Sequence, residues 1–74
     1  MPIFNYQKLK GRIIEKLETN GKFAELMDWS RPTLSRKLSG ESEWTQSEII
    51  KACEILEIEL TEFNLYFFAV KVQD

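Results

Sequence analysis

The chain has 74 residues and a net charge of −2, which leaves room for one domain around a single small core. It contains no histidine and one cysteine, Cys53, and these counts exclude an internal disulfide bond, a His–Cys zinc site and a Ser–His–Asp triad. No stretch is apolar over the about 18 residues that a membrane span needs, and the N-terminus has no apolar signal region. We therefore expect a non-enzymatic cytoplasmic protein that needs no metal, cofactor or small-molecule substrate and makes no membrane contact.

Charge is distributed unevenly along the chain. Residues 1–40 carry eight Lys and Arg against four Asp and Glu, whereas residues 41–74 carry two against eight. A polyanion would be attracted to the first half and repelled by the second. Such an asymmetry is a hint of nucleic-acid contact.

The spacing of apolar residues predicts four short helices, over about residues 6–19, 21–27, 31–38 and 46–57. Asn5 is the expected N-cap of the first helix and Ser30 of the third, where Pro32 is acceptable because the first N–H groups of a helix have no internal partner. Asp28 follows the second helix at a position that often needs a left-handed residue, and Gly40 ends the third. The side chains expected to face the core are Leu9, Ile13, Ile14, Leu17, Phe23, Leu26, Met27, Leu34, Leu38, Ile49, Ile50, Cys53 and Leu56.

The start of the fourth helix is the sharpest local signal in the chain. Thr45 as N-cap and Glu48 three residues later form a capping box, and Trp44 and Ile49 have the spacing of the hydrophobic staple that accompanies it. Cys53 lies among apolar neighbours at helical spacing, so we expect a buried, inert thiol.

The last segment, residues 61–74, gives a mixed signal. Residues 61 to about 65 fit a helical turn. Four residues then alternate with their neighbours at a period of two, which favours a β-strand: Tyr66, Phe68, Val70 and Val72. Because a strand is not stable alone, it must pair with another chain or with residues 2–5, the only spare partner segment. The aromatic tail is either a cover for the core or the seam of a homodimer, and we favour the seam.

Residues 24–38 have the pattern of a helix-turn-helix. A small residue, Ala24, stands where the two helices would touch, and the turn-tolerant Asp28, the apolar Trp29 and the N-cap Ser30 follow in order. Leu34 then points back to the core. The remaining face of the second helix carries Arg31, Thr33, Ser35, Arg36 and Lys37. Taken alone, such a basic face is more often simply solvated. Arg and short polar side chains read base edges in the major groove, however, and Lys holds phosphates.

The stretch FAELMDWSRPTLSRKLSG, residues 23–40, resembles the helix-turn-helix of the lambda Cro/repressor class of XRE-like regulators. The following EIIKACEILEI resembles the next helix of that class, and the tail YFFAVKVQ is similar to the ending of small phage Cro-type repressors. The resemblance covers about residues 6–73. It departs at two positions, because the class usually has Gly where Asp28 stands and Ile or Val where Trp29 stands.

The resemblance implies an all-α, compact four- to five-helix lambda-repressor-like domain spanning residues 1–74, with a short C-terminal strand and a dimerisation segment in residues 61–74. The residues implied to face base edges are Arg31, Pro32, Ser35 and Arg36. Those implied to lie near the phosphate backbone are Asn20, Lys22, Lys37 and Ser39. The dimerisation residues are expected to be Tyr66, Phe68, Val70 and Val72.

The implied function is a phage Cro-type transcriptional repressor in the cytoplasm of a bacterial host. Helix 31–38 would enter the major groove of double-stranded operator DNA, and a homodimer would match a palindromic operator. The alternative is a protein-binding module on the same scaffold, an antirepressor or a modulator of a partner repressor. The acidic second half and the pI of about 5.1 motivate this alternative, since fold does not fix function.

Overall fold

The computed structural model describes residues 4–70. Over this range the chain forms five α-helices and one short 3₁₀ helix: α1 (Gln7–Leu17), α2 (Asn20–Met27), α3 (Arg31–Ser39), α4 (Gln46–Leu56), the 3₁₀ helix (Leu60–Glu62) and α5 (Phe63–Phe67). Within the described range, the only strand-like pairing outside the helices is an isolated antiparallel bridge between Phe4 and Val70. The expected all-α class is therefore confirmed.

Side-chain caps begin three of the helices, as the sequence predicts for α3 and α4. Thr19 accepts from the backbone N–H of Lys22 at the start of α2, and Ser30 accepts from that of Thr33 at the start of α3. At the start of α4 the capping box is complete, with both reciprocal bonds between Thr45 and Glu48. These bonds stabilise the helix starts locally, each typically by about 1 kcal/mol.

The expected helix ends are also confirmed, whereas the first N-cap is displaced by one residue. Asp28 has a left-handed conformation with φ 63° after α2, and Gly40 has φ 89° after α3. The cap position of α1 is Tyr6, whose side chain makes no capping bond. Asn5 acts from one residue upstream, since its Oδ1 accepts from the Gln7 N–H at 2.8 Å.

One core holds the domain together. Its buried members are Tyr6, Leu9, Ile13, Phe23, Ala24, Met27, Leu34, Leu38, Ile49, Ala52, Cys53, Leu56, Ile58 and Phe67. Three residues predicted for the core are exposed instead: Ile14 by 51%, Leu26 by 45% and Ile50 by 47%. Each is the immediate neighbour of a buried apolar residue. Successive side chains of a helix point about 100° apart, so at these three positions the neighbour faces the core and the exposed residue lies at the edge of the apolar stripe or beyond it.

The predicted strand beginning at Tyr66 is wrong over its first part, because α5 continues to Phe67 and the Phe68 N–H still donates to Asn64 O. Beyond α5 the chain does pair with the expected partner segment. The Asn5 N–H donates to Ala69 O at 2.6 Å, next to the bridge between Phe4 and Val70. Residues up to Phe67 are helical despite their β-propensity, because the helix places Phe67, which is 1% exposed, in the core. Val72 lies outside the described residues.

Candidate functional site

The α2–α3 pair presents one open helix face. The turn between the helices is closed by the Trp29 N–H, which donates to Ala24 O at 2.8 Å, and Leu34 and Leu38 anchor α3 in the core. The four residues expected at base edges, Arg31, Pro32, Ser35 and Arg36, are all exposed. Three of the four expected at phosphates, Asn20, Lys22 and Ser39, are exposed as well.

Arg31 lies across the first turn of α2. A Cβ atom on Gly21 would be 3.0 Å from Arg31 Nη2, so the guanidinium occupies the space that a side chain at residue 21 would take. Arg31 is thus held close to the α2 backbone, while Arg36 extends from the next turn of α3.

Lys37 is the one predicted phosphate contact that the structure places in an internal ion pair. Its Nζ lies 2.8 Å from Glu48 Oε1 and also donates to the Glu43 backbone oxygen, and it lies 5.5 Å from the centre of the Trp29 ring. The side chain is only 11% exposed. Lys37 therefore joins α3 to the capping box of α4, and a phosphate contact would require this pair to break.

The ion pair also changes the acidity of Glu48. Burial by itself raises the pKa of this carboxyl. The hydrogen bonds from Lys37 and Thr45, together with the Lys37 charge, outweigh burial and hold the pKa below its ordinary value.

Replacing Glu48 by glutamine is expected to lower the free energy of unfolding at pH 7 by roughly 1–2 kcal/mol, because Lys37 then loses its countercharge in a half-buried place. Since the pKa of Glu48 is lower in the folded chain, this stabilisation is present above the unfolded value of about 4.3 and is lost as the pH falls through the folded value. Urea denaturation at a series of pH values measures it: the difference between wild type and Glu48→Gln should shrink on acidification.

The matched control is Glu15→Gln. Glu15 pairs with Arg12 at 2.8 Å but is 65% exposed, so we expect a loss below about 0.5 kcal/mol. Equal losses for the two variants would show that the Lys37 pair is no more stabilising than an exposed one.

A second open surface lies between α4, the 3₁₀ helix and α5. We call it the α4–α5 groove, a shallow depression of about 500 Å³ lined by Gln46, Ile49, Ile50, Leu60, Phe63 and Phe68. The Phe63 and Phe68 rings meet edge to face at 5.7 Å, and Leu60 is 59% exposed. Exposed aromatic and aliphatic side chains grouped in this way are typical of protein interaction surfaces.

Sequence reasoning missed this groove. The sequence predicts Ile50 for the core and Phe68 for a dimer seam, and it indicates no role for Leu60 or Phe63. The available signal was the Ile49–Ile50 pair in α4, because Ile50 lies outside the stripe that Ile49, Cys53 and Leu56 form at helical spacing.

The predicted dimerisation residues do not form a single row. Tyr66 is half-buried under Lys8 of α1, whose Nζ lies 5.1 Å from the ring centre. Phe68 is on the groove and packs edge to face on Phe4 at 5.6 Å, while Val70 is 56% exposed at the bridge. The alternation that predicted a seam is interrupted because Tyr66 belongs to a helix.

Two candidate reactive features, the Cys53 thiol and a possible metal site, can be checked in the described residues. Burial raises the pKa of the Cys53 thiol, which keeps it protonated and unreactive. No group of three potential metal ligands is found in the described part of the chain. None of the helices seen between residues 4 and 70 has the length and apolar character needed to cross a bilayer.

The fold defines a small all-α domain with two open surfaces. The chain belongs to the family described as "Protein of unknown function (DUF739)", whose sequence model matches residues 2–70. It is similar to the modulator of repression (MOR) of the temperate bacteriophage TP901-1 from Lactococcus lactis, known from its solution structure. The two are 38% identical, with a TM-score of 0.79 and 95% of each chain covered. No curated protein matches the chain. Membership of the Cro/XRE class is not confirmed by these comparisons.

Proposed function

We propose that this protein modulates repression by binding a repressor protein, in the cytoplasm of a bacterium that carries a temperate phage, with residues 1–74 acting as one domain. The observation that carries the proposal is the similarity to the phage modulator of repression, at 38% identity over 95% of both chains. Identity at this level over the full fold supports a shared type of function more strongly than the short helix-turn-helix motif supports a Cro-type repressor.

The placement of charges supports this choice. Cations of the first half pair with acids of the second, as in Lys16 with Glu57 and Lys37 with Glu48. The charge asymmetry along the sequence is therefore partly cancelled in the folded chain. On α3 only Arg31 and Arg36 remain as exposed cations, in a protein of net charge −2. DNA affinity at physiological salt rests on many phosphate contacts, so one copy of this domain would bind DNA weakly.

The α4–α5 groove supplies the kind of surface that a protein partner needs. Ile50, Leu60 and Phe68 are each between 45% and 59% exposed and line one depression. Covering them would remove apolar area from water, which is the main source of affinity in protein interfaces. The groove therefore supports a protein partner more directly than α3 supports operator DNA.

The test uses the purified chain and the purified repressor encoded by the same phage. We expect a stable complex by isothermal titration calorimetry and size-exclusion chromatography at about 0.15 M salt. We also expect a changed occupancy of the operator by the repressor when the chain is added, measured by footprinting. Absence of a complex, with unchanged operator occupancy, would contradict the proposal.

A second candidate is direct, sequence-specific operator binding as a Cro-type homodimer. The observation in its favour is the open face of α3, on which all four predicted base-edge residues are exposed. Selection from a randomised duplex pool would enrich a palindrome with half-sites about one helical turn apart. Light scattering of the free chain tests the homodimer independently.

If the chain does select a site, Arg36→Ala is expected to weaken that site by roughly 1–3 kcal/mol and to relax its sequence preference, because Arg can contact guanine with two hydrogen bonds. Lys51→Ala is the matched control, since Lys51 is an exposed cation that belongs to α4 and is not among the predicted DNA contacts. Fluorescence anisotropy with the selected duplex measures both. An unchanged affinity in Arg36→Ala would show that Arg36 does not read the base sequence. If the selection enriches no site at all, direct operator binding is excluded.

A further inference from the structure

A separate pocket, which shares Phe68 with the α4–α5 groove, combines aromatic walls with two glutamate residues. Its volume is about 560 Å³, and five of the nine residues that line it are aromatic: Phe4, Tyr6, Trp44, Phe67 and Phe68. The remaining residues are Gly40, Glu41, Ser42 and Glu43, from the segment between α3 and α4. We refer to it as the aromatic pocket.

The aromatic walls are held in place by internal contacts. Trp44 donates its Nε1–H to the Lys37 backbone oxygen at 3.2 Å and packs edge to face on Phe67 at 4.9 Å. The Tyr6 ring lies 6.5 Å from that of Trp44 at an angle of 38°. A rigid wall of this kind is organised before a ligand arrives, which lowers the entropic cost of binding.

The polar side chains of the pocket have hydrogen-bonding capacity left for a ligand. Glu41 and Glu43 are exposed, and in the described part of the chain neither carboxylate takes part in an ion pair. Tyr6 is 7% exposed, yet its hydroxyl forms no hydrogen bond with residues 4–70. Burial, and after it the Glu43 charge, raise the pKa of Tyr6, and both residues line the pocket. Two carboxylates thus lie beside aromatic rings, and neither forms an ion pair with a residue between 4 and 70.

We propose that the aromatic pocket binds the guanidinium group of an arginine side chain presented by the protein partner, with the ring of Trp44 as the cation–π surface and Glu41 and Glu43 as acceptors. A planar guanidinium stacks on aromatic rings and donates two parallel hydrogen bonds to a carboxylate, which suits this pairing better than an ammonium group. The inference rests on the proposed function for the identity of the partner. It specifies the chemistry that the partner must offer.

The first experiment needs no repressor. Nα-acetyl-arginine amide is titrated into the ¹⁵N-labelled chain at constant ionic strength, and the indole N–H signal of Trp44 is followed. Nα-acetyl-citrulline amide, which is nearly the same shape without the charge, is the control ligand. We expect a saturable shift with the arginine derivative and none with the citrulline derivative. Equal responses to the two ligands, or no response, would overturn the proposal.

The second experiment compares Glu43→Gln with Glu62→Gln. Both variants remove one negative charge from the acidic half, but Glu62 lies in the 3₁₀ helix and outside the pocket. Glu43→Gln keeps the backbone oxygen that accepts from Lys37, so the melting temperature should stay unchanged. We expect Glu43→Gln to abolish the arginine-dependent shift and to weaken repressor binding at least roughly fivefold, and Glu62→Gln to leave the arginine-dependent shift unchanged.

The two experiments separate the pocket from the proposed function. Repressor binding that is equally strong in wild type and Glu43→Gln, with no shift by the arginine derivative, would overturn the pocket and leave the function standing. A shift by the arginine derivative without any repressor complex would support the pocket and contradict the proposed function.

Discussion

Replacing Phe67 by alanine is expected to lower the free energy of unfolding by about 3–5 kcal/mol. The Phe67 side chain is 1% exposed, is the one buried residue of α5, and packs edge to face on Trp44 at 4.9 Å. Small domains have a total stability of only about 5–15 kcal/mol, and a chain this short is expected at the low end. Phe67→Ala should therefore be largely unfolded or unfold at much lower urea concentration, as measured by circular dichroism and tryptophan fluorescence.

The adjacent Phe68→Ala is the matched control. It removes the same atoms from a side chain that is 45% exposed, so we expect a loss below about 1 kcal/mol. A strand through residues 66–72 would group Phe68 with Tyr66 and Val70 on one face and place Phe67 on the other. A larger loss for Phe68 than for Phe67 would mean that this alternation, rather than the helix, describes the protein.

Replacing Ile50 by glutamine is expected to weaken repressor binding by roughly tenfold or more, because a polar amide would have to be buried in the α4–α5 groove. Ile50 is 47% exposed in the free chain and lines the groove beside Ile49. Its exposure also means that the stability of the free chain should change little. Calorimetric titration with the repressor and urea denaturation of the free chain measure the two effects separately.

Ile14→Gln is the control for this prediction. Ile14 is the same residue type, is 51% exposed and lies in a helix, but it belongs to α1 and does not line the groove. We expect its repressor affinity to match that of wild type. If both variants weaken repressor binding equally, the repressor binds exposed apolar surface in general and not this groove. If Ile50→Gln binds with unchanged affinity, the groove is not part of the interface.

Local chemistry was sufficient to predict several helix boundaries from the sequence. The Thr45–Glu48 capping box, the Ser30 cap and the left-handed Asp28 depend on residues within four positions of each other, so no knowledge of the tertiary structure was needed. The helical period also identifies the core face of a helix from the sequence. It correctly places Ile13 and Ile49 on that face. The open face of α3 follows from Leu34 and Leu38 in the same way.

Only the tertiary structure decides which of two adjacent apolar residues is buried. It also decides which cationic side chains are held in ion pairs. Phe67 rather than Phe68 enters the core because α5 packs beneath Trp44, although the tail alternates like a strand. The sequence assigns Lys37 to a basic face that would contact DNA. In the fold, Lys37 forms an ion pair with Glu48, which lies eleven residues later and in a different helix. The α4–α5 groove and the aromatic pocket are formed by residues distant along the chain. Such contacts depend on how helices dock, and the spacing of residues within one helix carries no information about that.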